Sequence, residues 1–405
     1  MSSPSTLHRS RSWVEVDLAA LRANLRRVRE AAGPETGVVP MIKSDAYGLG
    51  MPAVTDALAR ELAPDGPWAF GVAAVAEGEA LRGTGWTGRI VVFAPTTPGE
   101  YLRAARAGLS LCLSEPEAVE LWAETARETG RRLPFHLEID TGMGRAGLPW
   151  QHAAEWGPAV TARAADRLLW EGVFTHFHSA DEPDLAPTDH QWERFAQAVD
   201  ALPPVPEGAL PRVIHSSNSA ASLRRSGYGC DLVRPGIFLY GGSAGPGTFP
   251  EPVASVRARI SLVREVAAGT TVGYGATYAA PAAETWGTAA IGYGDGLRRA
   301  LSAGGGEAIV RGVRVPIVGR ISMDVTVLNL SRVPGVRAGE VATFIGRDGT
   351  EEIRLDEVAE RCGTISYEIL TGLTPRLPRT YLDASSPEPL DAADSGRPRD
   401  HFQSG

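Results

Sequence analysis

The sequence predicts an α/β protein with an N-terminal (β/α)8 barrel and a C-terminal, mostly β domain. Short apolar runs of strand length alternate with amphipathic stretches over about the first 240 residues, and this alternation is typical of parallel βαβ units. Eight such runs indicate a closed barrel. An open doubly wound sheet is the alternative, but no G-x-G-x-x-G motif follows the first predicted strand.

The predicted barrel strands are the apolar runs themselves, taken in chain order. They are Val38–Lys43, Ala69–Val72, Ile90–Ala94, Ser110–Leu113, Phe135–Asp140, Leu169–His176, Val213–Ser216 and Asp231–Arg234. Amphipathic helices are predicted between them, for example at Pro98–Ala107, Glu115–Thr129 and Asp189–Ala201. We assign residues 13–242 to the barrel, with the option that its first strand packs with the β domain.

The pattern changes after about Gly242. Segments such as "VASVRARISLVREV" and "EAIVRGVRVPIVGRISMDVTVLNL" are β-rich and are separated by turns that contain glycine. Helical periodicity returns only at Leu355–Cys362. The prediction is a β domain over 243–382, a flexible N-terminal tail over 1–12, and a disordered tail over 383–405 that is rich in Pro, Ser and Asp.

Composition narrows the class of protein. The 405 residues are 43% hydrophobic and 22% charged, and the net charge is -8, which argues against nucleic acid or an anionic membrane as partner. Three widely spaced cysteines share no metal-ligand spacing, so we expect free thiols and no metal site. No apolar run approaches the ~20 residues of a membrane span, and the N-terminus lacks the apolar stretch of a secretory signal. The expectation is a soluble cytoplasmic protein.

The stretch "VVPMIKSDAYGLG" places Lys43 at the carboxyl end of a buried strand, where barrel enzymes gather their active-site residues. Lysine is rarely buried unless it is paired or has reacted. The alternative, which this stretch leaves open, is a lysine whose amine reaches solvent from a strand end.

Two other strand ends carry groups that suit a phosphate. Ser219 offers a hydroxyl after the seventh predicted strand, and Gly236 and Ile237 offer backbone N–H groups after the eighth. The alternatives are helix capping by Ser219 and a tight turn at Gly236. A lysine facing a phosphate site suggests pyridoxal phosphate, which bonds to a lysine amine and is anchored by its phosphate. His176 and Arg234 fit as partners of the cofactor ring, although His176 alone could be a core histidine.

These motifs, in this order, resemble those of the alanine racemases, a family of fold-type III pyridoxal-phosphate enzymes. The resemblance runs from about Trp13 to Tyr381 and rests on "IKSDAYGLG", "DTGMGRAG", "HFHSADE", "NSAAS", "VRPGIFLYG", "VGYGATY", "IGYGDG", "GRISMD", "GTISYE" and "PRLPRTY". It implies a barrel, a β domain and a head-to-tail homodimer whose active sites are shared between subunits. It also implies interconversion of L-alanine and D-alanine, the isomerase step that supplies D-alanine for peptidoglycan precursors.

The resemblance further implies roles for individual residues. Lys43 bonds to the cofactor and is one catalytic base, and Tyr274 of the partner subunit is the opposite base. Other cofactor-binding residues are Tyr47, Arg145, His176, Asn218, Ser219, Arg234, Gly236, Ile237 and Tyr367. Arg145 and Met323 bind the substrate carboxylate, and the passage by which substrate arrives is lined by Tyr293, Arg299, Arg320, Asp324 and Ile365.

Racemisation needs acid–base groups on opposite faces of a planar centre. Lysine and tyrosine have ordinary pKa values near 10.4 and 10, so both need tuning by burial and by cationic neighbours. Arg234 keeps its proton and cannot protonate the pyridine nitrogen, which we interpret as favouring return of the α-proton over side reactions.

The chain departs from the family's pattern at three positions. Glu138 stands where the family often has a carbamylated lysine, and we expect it to brace Arg145 through a charge-assisted pair or else to be a plain strand residue. Leu49 replaces a common histidine, and His178 replaces a common small residue.

His178, beside the predicted site, keeps the substrate open, and serine or a larger amino acid, or a specialised pathway homologue, is the alternative. A decarboxylase of this fold type, a non-catalytic pyridoxal-phosphate carrier and a sugar-phosphate barrel enzyme fit the β domain less well, because each leaves Tyr274 unexplained.

Overall fold

A computed structural model describes residues 10–164, 167–205, 210–302 and 305–383. Residues 1–9 of the predicted N-terminal tail and 384–405 of the predicted C-terminal tail lie outside these ranges. The chain divides into two compact units. The barrel unit comprises the described residues of 20–253 and 354–373, and the β unit comprises those of 1–19, 254–353 and 374–405.

The strands and helices are numbered in chain order. The strands are β1 Ser12–Asp17, β2 Gly37–Val38, β3 Phe70–Val72, β4 Ile90–Val92, β5 Ser110–Leu113, β6 Leu133–Asp140, β7 Leu148–Pro149, β8 Leu168–Phe174, β9 Val213–His215, β10 Leu232–Val233, β11 Ala254–Val266, β12 Thr271–Val272, β13 Tyr278–Ala279, β14 Glu284–Ala289, β15 Glu307–Val310, β16 Val313–Pro316, β17 Thr326–Asn329, β18 Val341–Asp348, β19 Glu351–Ile353 and β20 Arg379–Leu382. The helices are α1 Leu18–Ala32, α2 Lys43–Tyr47, α3 Met51–Glu61, α4 Val75–Gly83, α5 Tyr101–Ala107, α6 Pro116–Thr129, α7 Ala153–Ala164, α8 Ala186–Asp200, α9 Ser219–Arg224, α10 Leu355–Arg361 and α11 Ser366–Thr371.

The barrel unit contains a ring of parallel strands, as predicted. Strands β3, β4, β5, β6, β8 and β9 pair in that order, and β10 pairs with β2. Backbone hydrogen bonds join the two groups, from the Asp231 amide to the Ile214 oxygen at 3.0 Å and from the Ile42 amide to the Gly71 oxygen at 2.8 Å. The (β/α)8 fold class is therefore confirmed.

The first barrel strand is shorter than predicted. Instead of Val38–Lys43, the ladder covers Gly37–Val38, and after it only Met41 forms an isolated bridge, with Gly71. Pro40 explains the break, because proline has no N–H to donate to a ladder. The predicted helices form close to their expected bounds, with Pro98–Glu100 as a 3-10 turn ahead of α5.

The β unit is built on a twisted, mostly antiparallel sheet. Strand β11 is 13 residues long and pairs with β1, β14 and β18, while β1 also pairs in parallel with β20. Along the first half of β11, buried and half-buried residues alternate, which is the pattern of a strand with one face on a core. Helices α10 and α11 belong to the barrel unit.

The described part of the chain has no helix that could span a bilayer. The same residues hold no group of three or more His, Cys, Asp or Glu side chains placed to bind a metal ion.

Candidate active site

The barrel unit has a cavity at the carboxyl ends of its strands, with about 630 Å³ of empty space counted out to its mouth. The cavity brings together most of the residues that the sequence predicted for this end of the barrel. Its lining is Met41, Lys43, Tyr47, Phe93, Arg145, Phe174, His176, Asn218, Ser219, Arg234, Gly236 and Tyr367. Ile237 is buried beside it, at the start of the 3-10 turn Ile237–Tyr240.

Lys43 opens a short segment in which the backbone is left-handed. Ser44, Asp45, Ala46 and Tyr47 all have φ between 54° and 57°, although each left-handed residue other than glycine costs about 1–2 kcal/mol. Side-chain hydrogen bonds hold the segment, because Glu77 accepts from the Ser44 amide at 2.6 Å and Asp45 accepts from the Met51 amide at 2.7 Å. Such strain is typical of functional sites. The sequence pattern did not predict the left-handed backbone of these four residues.

The Lys43 amine is half-buried inside this arrangement. Burial lowers its pKa, the charge of Arg145 lowers it further, and the carboxylate of Glu77 acts in the opposite direction. The neutral amine, which is the form that acts as nucleophile or base, is therefore reached at a lower pH than for a lysine in water.

Tyr47 packs tightly between two other rings. Its ring stacks on Tyr240 at 4.4 Å between centroids and lies 5.9 Å from Tyr367. A Cβ atom built on Gly236 would lie 2.3 Å from the Tyr47 hydroxyl, so only glycine lets this backbone come so close. Burial raises the pKa of Tyr47, and it raises the pKa of Tyr367 to about 12, so both hydroxyls act as neutral donors at pH 7.

The polar groups predicted to hold a phosphate meet in the structure. The Ser219 hydroxyl accepts from the Gly236 amide at 2.8 Å. Asn218, and not Ser219, caps α9, since its side chain accepts from the Ala221 amide at 3.1 Å. The alternative that Ser219 is only a helix cap is therefore wrong, and its hydroxyl is directed at the turn that carries Gly236.

Arg234 is 4% exposed, and its guanidinium donates hydrogen bonds to three neighbouring residues. Its Nη2 donates to the carbonyl oxygens of Thr175 and Ser216, each at 2.9 Å, and its Nη1 donates to Nδ1 of His215 at 2.8 Å. Burial lowers the pKa of Arg234 to about 10, so the guanidinium stays charged at neutral pH. Burial and that charge lower the pKa of His176 to about 3.

Glu138 lies buried on β6 near Arg145. Burial raises the pKa of the carboxyl, and the Arg145 charge opposes the rise. The Ser114 hydroxyl lies 3.4 Å from Glu138 Oε2, but within the residues that the structure describes, no ion pair joins Glu138 to Arg145. The predicted brace is therefore not formed here; Arg145 itself is exposed at the cavity. His178 is exposed and hydrogen-bonds the Ser179 hydroxyl at 2.6 Å.

The β unit carries the other predicted residues except Ile365. Tyr274 is 66% exposed and Met323 is 51% exposed. Arg299 and Arg320 line a second cavity, which lies within the β unit. The remaining predicted residues are exposed or ion-paired: Tyr293 is exposed, Asp324 lies 2.6 Å from Arg376, and Ile365, in the barrel unit, is exposed.

Sequence reasoning missed several residues of the barrel site. Phe93 and Phe174 form apolar walls of the cavity, and their only signal was a place at the end of a predicted strand. His215 lies within the predicted strand Val213–Ser216, and a histidine at a strand end near an arginine is a signal that could have found it.

The residues present fit pyridoxal phosphate. The cavity offers an amine with a lowered pKa, a serine hydroxyl beside a glycine whose Cβ would clash, and a buried guanidinium. A (β/α)8 barrel with this lining belongs to the class of pyridoxal-phosphate-dependent enzymes.

Comparison with known proteins identifies the family. Residues 16–244 match the family model for the alanine racemase N-terminal domain, and 253–381 match that for the C-terminal domain. The alanine racemase of Geobacter sulfurreducens is 38% identical over 380 residues, which are 92% of this chain and 97% of that protein.

Two crystal structures of alanine racemases are also similar. The enzyme of D-cycloserine-producing Streptomyces lavendulae gives a TM-score of 0.84 at 33% identity, over 94% of this chain and 98% of that one. The Bacillus anthracis enzyme with bound L-Ala-P gives 0.84 at 32% identity, over 96% and 99%. The chain belongs to the alanine racemase family.

Proposed function

We propose that this protein interconverts L-alanine and D-alanine with pyridoxal phosphate as its cofactor. The observation that carries the proposal is the barrel cavity, in which the Lys43 amine, the pair formed by Ser219 and Gly236, and the Arg234 guanidinium share one lining. Membership of the alanine racemase family supports alanine as the substrate.

Pyridoxal phosphate, bound in the cavity, supplies the electron withdrawal that allows an amino acid to lose its α-proton. The Lys43 amine removes or returns that proton on one face, and its lowered pKa makes it available as a base. The phosphate would be held by Ser219, Gly236, Ile237, Tyr47 and Tyr367. Asn218 caps the helix that begins at Ser219 and so orients it.

Arg234 and His176 set the environment of the ring. Arg234 would face the pyridine nitrogen, and because it does not give up its proton it would keep electron withdrawal weaker than an acidic partner would make it. Return of the proton is then favoured over side reactions. His176 lines the cavity and would lie against the ring, and it is neutral at pH 7 because burial lowers its pKa to about 3.

Tyr274 serves as the base on the opposite face, supplied by a second copy of the chain. Its exposure, and that of Met323, support this role, because both side chains are available to another surface. In the resulting homodimer, the backbone N–H of Met323 and the guanidinium of Arg145 bind the substrate carboxylate. Tyr293, Arg299, Arg320, Asp324 and Ile365 line the passage that leads to it.

We retain the predicted order of a barrel domain and a β domain as part of this proposal. The compact units depart from the predicted bounds 13–242 and 243–382, because described residues before 20 belong to the β unit and residues 243–253 and 354–373 belong to the barrel unit. We also propose a reducing, cytoplasmic location, which the free thiols of Cys112, Cys230 and Cys362 support.

The test is α-proton exchange in deuterium oxide with purified protein, pyridoxal phosphate and L-alanine, followed by proton NMR and a chiral assay. We expect deuterium to enter the α position at the rate at which D-alanine appears. Unchanged alanine, with the cofactor visibly bound by its absorption, would show that alanine is not the substrate. Serine and larger amino acids would then be assayed in the same way.

A further inference from the structure

A line of hydrogen-bonding side chains leaves Arg234 and runs through the barrel interior, away from the cavity. Nη1 of Arg234 lies 2.8 Å from Nδ1 of His215, and Nε2 of His215 lies 2.9 Å from Nδ1 of His136. Beyond it, Nε2 of His136 lies 3.8 Å from Oε2 of Glu171. His136 and His215 are completely buried, and the mechanism above uses neither of them.

The chemistry of the first residue fixes the protons along this line. Arginine has N–H donors and no acceptor, so Nδ1 of His215 accepts and its single ring proton is on Nε2. That N–H in turn donates to Nδ1 of His136, which places the proton of His136 on Nε2. Burial and the charge of Arg234 hold both rings neutral by lowering their pKa values.

A glycine makes the contact between the two histidines possible. His136 lies on β6 and His215 on β9, and β8 runs between them. Gly172 of β8 pairs with His136, and a Cβ at Gly172 would lie 2.3 Å from Nδ1 of that ring. Without a side chain at this position, the ring of His136 crosses β8 and reaches His215.

The far end of the line faces a carboxylate. Nε2 of His136 has no hydrogen-bond partner among the described residues, and the Glu171 carboxylate lies 3.8 Å from it. Glu171 is itself held by the Ser110 hydroxyl at 3.0 Å and by Arg89 at 3.6 Å. A fixed carboxylate at this end favours the Nε2–H form of His136, the same form that the arginine end requires.

We propose that His136 is a positioning residue for racemisation, which acts through His215 to fix the guanidinium of Arg234. This inference rests on the function proposed above, because it concerns the orientation that Arg234 presents to the cofactor. His136 supplies the acceptor that keeps the His215 proton on Nε2. If that acceptor is lost, His215 can carry its proton on Nδ1, where it opposes the Arg234 N–H instead of accepting it.

The test compares two substitutions of opposite size and chemistry. His136→Phe keeps a ring but removes the acceptor, whereas His136→Asn is smaller yet places Oδ1 close to the position of Nδ1. We expect His136→Phe to lower kcat about five- to tenfold in both directions, with KM changed less than about twofold, since one hydrogen bond in the site is lost. His136→Asn should retain about half of kcat or more.

A purely structural role predicts the reverse order, because asparagine leaves a cavity that phenylalanine fills. Phe135→Leu is the matched control, since Phe135 is the buried neighbour on the same strand and lies outside the line. This control should lower the melting temperature without changing kcat. If His136→Phe lowers kcat no more than Phe135→Leu does, or if His136→Asn is the more damaging variant, the proposal is overturned.

A second measurement does not depend on turnover. In cofactor-free protein labelled with 15N-histidine, NMR should find His215 and His136 neutral at pH 7 with the proton on Nε2, and His136→Phe should change the His215 signals. A proton on Nδ1 of His215, or a charged His215 ring, would refute the assignment. If the protons are placed as stated and the wild-type protein fails to racemise alanine, the proposed function fails while the hydrogen-bonded line stands.

Discussion

The barrel unit and the β unit hold their candidate site residues in opposite ways. In the barrel unit, Tyr47, Ser219 and Arg234 are buried and their surroundings fix them, through ring stacking, a backbone N–H and two carbonyl oxygens. In the β unit, Tyr274 and Met323 expose more than half of their side chains. The barrel unit therefore fixes its candidate residues by contacts of its own, whereas the side chains of Tyr274 and Met323 are open to contact from outside.

Exposure in the β unit does not mean that these residues are loosely held. The Gly294 amide donates to the Met323 oxygen at 2.8 Å, and a Cβ at Gly292 would lie 2.2 Å from the Ser322 oxygen. The buried carboxylate of Asp295 receives Arg11 at 2.8 Å and Arg376 at 3.2 Å. The backbone around Met323 is therefore held by close contacts although the side chain of Met323 is exposed.

Replacing Lys43, the proposed catalytic base of the barrel unit, should lower the rate of racemisation more than any other change. Lys43→Ala removes both the amine that bonds to the cofactor and one acid–base group, so we expect racemisation to fall by at least about 10⁴-fold in both directions. The chiral assay measures the loss of racemisation. Absorption of the bound cofactor is the control and shows whether the barrel cavity still binds it. A variant that keeps a tenth of the wild-type rate would exclude Lys43 as the base.

The hybrid dimer tests whether the β unit's tyrosine acts on a second copy. Tyr274→Phe alone should lower the rate about 10²- to 10⁴-fold, since it removes one acid–base group. Mixing it with Lys43→Ala, after unfolding and refolding together, should restore about a quarter of wild-type activity, because half of the dimers are hybrids with one intact site each. No recovery on mixing would mean that Lys43 and Tyr274 serve the same chain's site.

The sequence predicted the barrel better than it predicted how the site is held. Alternation of apolar runs and helices needs only local patterning, so the eight-strand ring and helices such as α6 came out close to their predicted bounds. The exceptions have local causes of another kind. Pro40 interrupts the first ladder, and four consecutive left-handed residues after Lys43 are stabilised by Glu77 and by Asp45, of which the first lies on a different helix.

Local sequence patterns also could not predict side-chain contacts between strands that are distant in the chain. His136 and His215 are 79 residues apart, and their contact depends on the absence of a side chain at Gly172. The predicted brace between Glu138 and Arg145 depended on a distance that no spacing in the sequence determines, and the structure does not form it. The sequence therefore predicts which residues lie at the ends of strands, but it does not predict which side chains contact them there.

Gly236→Ala tests how tightly the proposed phosphate site of the barrel unit is packed. The new methyl group would lie 2.3 Å from the Tyr47 hydroxyl, and Tyr47 cannot easily move because Tyr240 stacks on it. We expect the dissociation constant of pyridoxal phosphate to rise about 10- to 100-fold, as overpacking typically costs 1–3 kcal/mol. Tyr47→Phe removes the clashing oxygen and leaves Cζ at 3.1 Å, but it also removes a hydroxyl proposed to hold the phosphate, so Tyr47→Phe alone is the reference for the double variant. Adding Gly236→Ala to Tyr47→Phe should raise the dissociation constant less than adding it to the wild-type protein. An equal rise in both proteins would show that the clash with the Tyr47 hydroxyl does not limit cofactor binding.

The pH dependence of the free energy of unfolding should show the smallest effect, and it concerns the barrel unit. Every histidine among the described residues lies in the barrel unit, and burial lowers the pKa of His136 and of His176 to about 3 and that of His215 well below its usual value. An unfolded histidine has a pKa of about 6.5. As the pH falls from about 6.5 towards 3, the unfolded chain therefore takes up protons that the folded barrel refuses, and the free energy of unfolding decreases.

His136→Phe removes one of these groups, so its free energy of unfolding should fall less steeply with decreasing pH, by up to about one proton in the slope. Glu138 and Glu171, whose pKa values burial raises, act in the opposite direction, but they are present in both proteins and largely cancel in the difference. Urea unfolding of the barrel, followed by tryptophan fluorescence between pH 6.5 and 4.5, measures the two slopes. His190→Gln, which replaces an exposed histidine of the same unit, is the control substitution. Equal slopes for wild type and His136→Phe would mean that His136 takes up its proton in the folded barrel as readily as in the unfolded chain, and the hydrogen-bonded line from Arg234 would then not hold it neutral.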